Sequence, residues 1–179
     1  MTRVQLEHVI RAAAGNADCT EIVIVGSQAI LGAFPDAPAE LLASMEADVY
    51  PKDRPADAIL IDGAIGERSL FHETFGYYAH GVDESTALLP AGWRARLVPI
   101  RNDNTRGVTG WCLDPHDLAI SKLAAGRQKD VEYVACLLRH RLVSPALLEN
   151  RLGETTFPDP GGRDRVIQRL RRVADVRTD

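Results

Sequence analysis

Leu6, Val9, Ile10 and Ala13 recur three and four residues apart, the spacing that lines one face of an α-helix, and Gly15-Asn16 supplies a stop signal. The period then changes. Glu21-Ile22-Val23-Ile24-Val25 is an unbroken run rich in β-branched residues that ends in Gly26-Ser27, which predicts a buried central strand followed by a tight turn. Gln28 to Phe34 reads as a helix stopped by Pro35. A second strand is expected over Ala47–Tyr50, stopped by Pro51 and pairing beside the first. Residues 53–70 read as one helix interrupted or ended near Gly63 and Gly66. Gly76–Val82 and Arg94–Ile100 read as further strands, so the expected sheet has four or five.

From Asp114 onward the pattern is helical. Asp114-Pro115 offers an N-cap with proline at the first position, and the helix it opens runs through Ala125 until Gly126 ends or bends it. A second helix over Asp130–Leu138 carries Val131, Val134, Ala135 and Leu138 on one face and should pack antiparallel on its predecessor. Shorter helices are expected near Pro145–Leu152 and Arg163–Val173, with Arg169, Arg171 and Arg172 on a solvated face. The pattern belongs to the α/β (α+β) class: a mixed sheet flanked by helices over residues 1–110 and a helical part over 111–179, in a single domain.

Composition agrees and narrows the function. The 179 residues suit one domain, and 45% hydrophobic with 26% charged residues is the balance of an ordinary globular protein. A net charge of -4 argues against coating nucleic acid through bulk charge and leaves a local basic patch open. Cys19, Cys112 and Cys136 are odd in number and form no C-x-x-C pair, which points away from a disulfide framework and a zinc cage and toward a reducing cytosol. Cys112 and His116 are the one close pair of soft ligands and lack partners at metal-site spacing. Without a signal-peptide pattern or an apolar run of about 18 residues, the expected location is cytoplasmic, with no membrane partner.

Two constellations can carry chemistry. The first joins the Gly26-Ser27 turn to Glu46 and Asp48, which share one face of a strand because residues i and i+2 point the same way. Such a pair suits magnesium, and Gly26 with the helix start behind it suits a phosphate. The bland alternative is a steric turn and a solvated strand edge. The second runs from Asp117 to Asp130. Lys122 lies among Leu118, Ile120, Leu123 and Ala124, so it should either reach solvent or meet an anion such as a triphosphate or a carboxylate; Asp130 and Arg127 stand close by. Here the alternative is a lysine and an aspartate fastening a helix corner. Ser27 as a hydrolase nucleophile fares worse, because no G-x-S-x-G elbow is present. Phe75 to Gly81 could stack a base, but aromatic strands more often pack a core.

Gly26-Ser27, Ser44-Met45-Glu46-Ala47-Asp48, Asp114 to Leu118 and Lys122 to Asp130 resemble, over roughly residues 20–140, an uncharacterised bacterial family assigned to the nucleotidyltransferase fold of the DNA polymerase β superfamily. That family is similar to the AbiEii and MenT toxins. The resemblance implies that Gly26 and Ser27 contact the triphosphate, that Glu46 and Asp48 hold Mg2+ or Mn2+, and that Lys122 and Asp130 complete the pocket with Arg127 and Lys129 at its rim. It implies transfer of a nucleoside monophosphate from a nucleoside triphosphate to an acceptor such as tRNA or protein, with an antitoxin as a partner. Two departures stand out. Glu46 occupies a position where relatives usually have Asp, and Arg94–Ile100 carries no third carboxylate. Both favour the alternative of an inactive fold kept as a binding or interaction module.

Overall fold

In the computed structural model, which describes residues 1–175, helix α1 runs from Arg3 to Asn16. Thr2 caps it: its side chain accepts from the Gln5 amide while the Gln5 side chain accepts from the Thr2 amide, a reciprocal pair that satisfies two orphan donors. Leu6, Val9, Ile10 and Ala13 are fully buried, as their spacing requires. Strand β1 (Glu21–Ile24) follows, then a 3-10 turn over Ser27–Ala29 and a single α-turn, α2 (Ile30–Ala33), where one continuous helix was expected. Strand β2 spans Glu46–Pro51, and α3 (Ala58–Ile65) ends at Gly66 with Gly63 inside it.

Helix α4 (Leu70–Phe75) was not anticipated. Ser69 caps its start by accepting from the His72 amide, and Gly76 ends it at φ 75°, a left-handed conformation that glycine adopts without cost. The strand expected over Gly76–Val82 is therefore shortened to β3 (Tyr78–Gly81). Strand β4 covers Val98–Ile100 alone, because Trp93–Arg96, read as part of that strand, forms a 3-10 turn. Arg96 is drawn instead to the buried carboxylate of Asp117. Strand β5 (Thr109–Cys112) was missed, and it is a central one.

The five strands are ordered β3-β2-β1-β5-β4. β1 pairs antiparallel with β2 and parallel with β5, β2 pairs parallel with β3, and β4 pairs antiparallel with β5. Contacts from α1, α2 and α3 fall on the sheet face that carries Ile22, Ile24, Val49, Ala79, Gly81, Gly110 and Cys112. Two glycines measure how close that packing is. A Cβ on Gly110 would lie 2.4 Å from Ile10, and one on Gly81 would lie 2.0 Å from the Ala58 carbonyl oxygen. This sheet and its helices form one compact unit, Met1–Thr86 with Leu97–Asp114.

The second unit joins Ala87–Arg96 to the chain from Pro115 onward, so the helical part takes in a stretch that was assigned to the α/β core. Its centre is α5 (Pro115–Ala125), against which α6 (Gln128–Arg139), α7 (Pro145–Gly153) and α8 (Gly162–Asp175) all pack. Leu118, Ala119, Ile120 and Leu123 are buried there. Arg169, expected on a solvated face, donates from Nη1 to the carbonyls of Leu123 at 2.6 Å and Ala124 at 3.2 Å and so satisfies the open end of α5. Gly126 turns the chain just beyond at φ 66°, where a Cβ would collide with that guanidinium. Among the described residues no helix is long and apolar enough to cross a membrane.

Two glycines in the sheet unit should respond to alanine in opposite ways. Gly81→Ala must push the backbone of α3 off β3 and is expected to cost about 1–3 kcal/mol, whereas Gly63→Ala, with nothing within 4 Å of its Cβ, should gain about 0.5–1 kcal/mol from helix propensity. Urea unfolding of both variants against the parent reads the two signs; loss of stability in both would show that α3 is seated differently from this description.

Candidate functional site

The parallel register of β2 and β3 sets Glu46 beside Tyr78, Ala47 beside Ala79 and Asp48 beside His80. Side chains alternate along a strand, so the two alanines turn together into the helix-covered face, both completely buried, and the other four side chains share the opposite face. The expectation that Glu46 and Asp48 converge holds: one ligand atom from each, together with one from His80, lies within 4.8 Å of the others. His80 Nδ1 is 3.1 Å from Asp48 Oδ1 and 3.8 Å from Glu46 Oε1. The Tyr78 hydroxyl donates to Glu46 Oε2 at 2.8 Å.

Two carboxylates this close repel, and the repulsion is legible in the Asp48 carboxyl. Burial first and the Glu46 charge second push the Asp48 carboxyl above the usual carboxylate range, with His80 opposing only in part. Tyr78 responds in the same sense. Burial and its hydrogen bond to Glu46 push the phenol up to about 12, so it stays a donor throughout the physiological range. A cation or a shared proton relieves such a pair. The ligand atoms fit a cation: oxygens and nitrogens around one ion at about 2.0–2.2 Å are at most about 4.4 Å apart, and the two measured separations fall inside that limit.

The Gly26-Ser27 turn lies against the same acids. An ideal Cβ on Gly26 would sit 1.9 Å from Asp48 Oδ2 and 2.7 Å from its Cγ, so only glycine lets the carboxylate rest against the turn. The backbone there is extended, φ −84° and ψ −169°, and the demand on Gly26 is steric rather than conformational. Ser27 is half-buried at the first position of the 3-10 turn. Because that turn and α2 together are short, the helix-dipole contribution foreseen for a phosphate is small.

His80 and Tyr78 were not singled out as site residues from the sequence. Arg94–Ile100, the segment expected to hold a third carboxylate in relatives and lacking one here, contributes β4, the edge strand farthest from β3. The neighbour of β2 is β3, and the position facing the acids holds an imidazole. The one available signal was that Tyr78 and His80 alternate with Ala79 in a strand pattern, which marks them as sharing a face without saying whose.

The remaining expected residues lie in the helical unit. Lys122 Nζ is 3.2 Å from Asp130 Oδ1 and 5.4 Å above the Tyr133 ring. Arg127 Nε donates to Asp130 Oδ2 at 2.6 Å. Asp130 is 1% exposed: its burial would raise the carboxyl, but the Arg127 hydrogen bond and the Lys122 charge hold it below the usual range. Lys122 meets a carboxylate, one of the two kinds of anion foreseen for it. Arg127 and Lys129 are exposed on the first turn of α6. A second buried carboxylate, Asp117, accepts from Arg96 Nε at 2.8 Å and Nη2 at 3.0 Å and lies 3.1 Å from Arg151 Nε. Cys112 is fully buried in β5, where burial pushes its thiol up to about 12, and His116 Nε2 accepts from the Ser144 amide.

Residues 4–159 match the family model described as "Nucleotidyltransferase of unknown function (DUF6036)". The chain belongs to this nucleotidyltransferase family. No curated protein and no solved structure matches it. Membership fits the mixed five-stranded sheet flanked by helices, and in this chain the sheet unit carries the acid cluster and the glycine turn on one face.

The lowered Asp130 carboxyl makes a stability prediction. A carboxylate whose folded pKa is depressed stabilises the fold above its ordinary pKa, and that contribution is lost as pH falls through the folded value. Asp130→Asn should therefore melt well below the parent near neutrality, with Lys122 left buried and unpaired, by about 3–5 kcal/mol. The gap should close as the pH falls below the ordinary carboxylate range and through the depressed folded value, where the parent's own carboxylate protonates. Melting curves across that range check it; a gap independent of pH would exclude the ion pair as its source.

Proposed function

We propose that this family member is a divalent-metal-dependent nucleotidyltransferase that moves a nucleoside monophosphate from a nucleoside triphosphate to an acceptor hydroxyl. One observation carries the reading: the Asp48 carboxylate rests against the Gly26 turn, so a phosphate taken by the turn and a cation taken by the acids would be in contact. Glu46 and Asp48 would hold the ion, Mg2+ or Mn2+, through carboxylate oxygens. When bound, the ion supplies charge neutralisation for the phosphates and for the oxygens that enter and leave. Gly26 and Ser27 would line the approach of the triphosphate to the acids, and Tyr78 fixes the Glu46 carboxylate so that the longer side chain still reaches the cluster. The acceptor class, tRNA or a protein side chain, and a toxin role with an antitoxin partner come from the resemblance to AbiEii and MenT toxins alone.

In the helical unit, the geometry supports Lys122 and Asp130 as a fastened corner, and Arg127 and Lys129 are the cations that offer an exposed edge to a phosphate or an acceptor. A second reading, a fold retained for binding without transfer, is favoured by the lack of any acid on β3, whose sequence is Tyr78-Ala79-His80-Gly81.

The decisive experiment incubates the full chain with each α-labelled nucleoside triphosphate, Mg2+ or Mn2+, and bulk tRNA or cell extract. Label transfer is expected, and Asp48→Ala, which removes a cation ligand without filling the site, should reduce it at least about 100-fold. Calorimetric binding of a triphosphate without transfer in any mixture would favour the binding module, and absence of both would remove the nucleotide from the reading.

A further inference from the structure

His80 changes the chemistry of the acid pair. Its Nδ1 is turned toward both carboxylates, 3.1 Å from Asp48 Oδ1 and 3.8 Å from Glu46 Oε1. Neighbouring ligands of one ion at about 2.1–2.2 Å are separated by about 3.0 Å in an octahedron and about 3.5 Å in a tetrahedron. The 3.1 Å separation matches the octahedral value, and the 3.8 Å separation lies a little beyond the tetrahedral one. Tyr78 engages Glu46 Oε2 at 2.8 Å, while Oε1 is the oxygen nearer His80. A donor on the far oxygen of a ligating carboxylate orients it and holds it in place. All four side chains come from two strands whose parallel register fixes them, so the arrangement belongs to the sheet rather than to a loop.

Nitrogen in the ligand set discriminates among ions. Magnesium prefers oxygen and retains its waters, whereas imidazole suits first-row transition ions, whose affinity for mixed nitrogen and oxygen sites exceeds that of magnesium. We propose that Glu46, Asp48 and His80 form one divalent-cation site that takes a first-row transition ion, manganese(II) among them, in preference to magnesium. The inference rests on the reading of the acid cluster as a cation site and adds the third ligand and the selectivity. An imidazole serving only as the hydrogen-bond partner of Asp48 would leave the bound ion with oxygen ligands alone and would give no such preference.

Calorimetry of the full chain with manganese(II) and magnesium salts, joined to pulsed EPR of the manganese(II) complex, tests this without any substrate. Manganese(II) should bind at least about tenfold more tightly than magnesium and show nitrogen coupling from one imidazole. His80→Ala should abolish the coupling and weaken manganese(II) about tenfold, while magnesium affinity changes less than about threefold. His80 is half-exposed, so the variant should fold; His80→Asn, which keeps a polar side chain, should give the same result. Equal affinities for the two ions, or a manganese(II) spectrum without nitrogen coupling in the unaltered chain, would overturn the proposal and leave an oxygen-only cation site standing. If neither ion binds, the cation site itself is lost, and this inference with it.

Discussion

Two negative charges on one strand, two residues apart and facing the same way, repel at short range, and a protein keeps them only where something offsets the repulsion. In the sheet unit, Glu46 and Asp48 are in that position, and the offset within the chain is incomplete. His80 and the Tyr78 hydroxyl approach the pair, yet the Asp48 carboxyl is still held above its ordinary range. The surrounding sequence makes room for this arrangement instead of relieving it. Gly26 gives up a side chain so that Asp48 can rest against the turn, and Ala47 and Ala79 turn the strands' small side chains into the core so that the polar ones share a face.

The helical unit treats buried charge in the opposite way. Asp117 is met by two arginines and Asp130 by a lysine and an arginine, and both carboxylates are almost completely buried. Removing one partner from such a set leaves an uncompensated ion in a poor solvent, which is why the partners act as fasteners. They hold α5 to α6 and α7 at fixed points. The contrast is physical: Asp117 and Asp130 face fixed cations, whereas Glu46 and Asp48 face each other, an imidazole and a phenol.

How far the sequence revealed this differs from element to element. Strand β1 and helices α1, α5 and α6 were legible because a strong apolar period and local stop signals agree there. β5 was not: Thr109-Gly110-Trp111-Cys112 has a glycine inside and no alternation to mark it, and its place beside β1 depends on Gly110 admitting Ile10. The 93–96 stretch looked extended, and was not, because its conformation is set by Arg96 reaching Asp117 across 21 positions. The acid pair was legible since i and i+2 on a strand need no tertiary information. His80 was not, because which strand lies next to β2 is a property of the sheet order, and nothing local records it.

The substitution that looked like a loss can be weighed as an exchange. A third carboxylate beside Glu46 and Asp48 would raise the local charge from two negatives to three, and each added negative charge increases the cost of the empty site as well as its pull on a hard cation. A neutral imidazole supplies a lone pair without that charge, and Tyr78, with its phenol held protonated by its place beside Glu46, adds a donor and no charge. A site of this composition would bind an ion less by bulk attraction and more by the identity of its ligands. Glu46 fits the same logic, since its extra methylene spans the distance to Tyr78 on the neighbouring strand and keeps its other oxygen toward His80. The acids and their partners meet through the β2–β3 register, and a one-residue slip of β3 against β2 would turn Tyr78 and His80 away from Glu46 and Asp48 toward the helix-covered face.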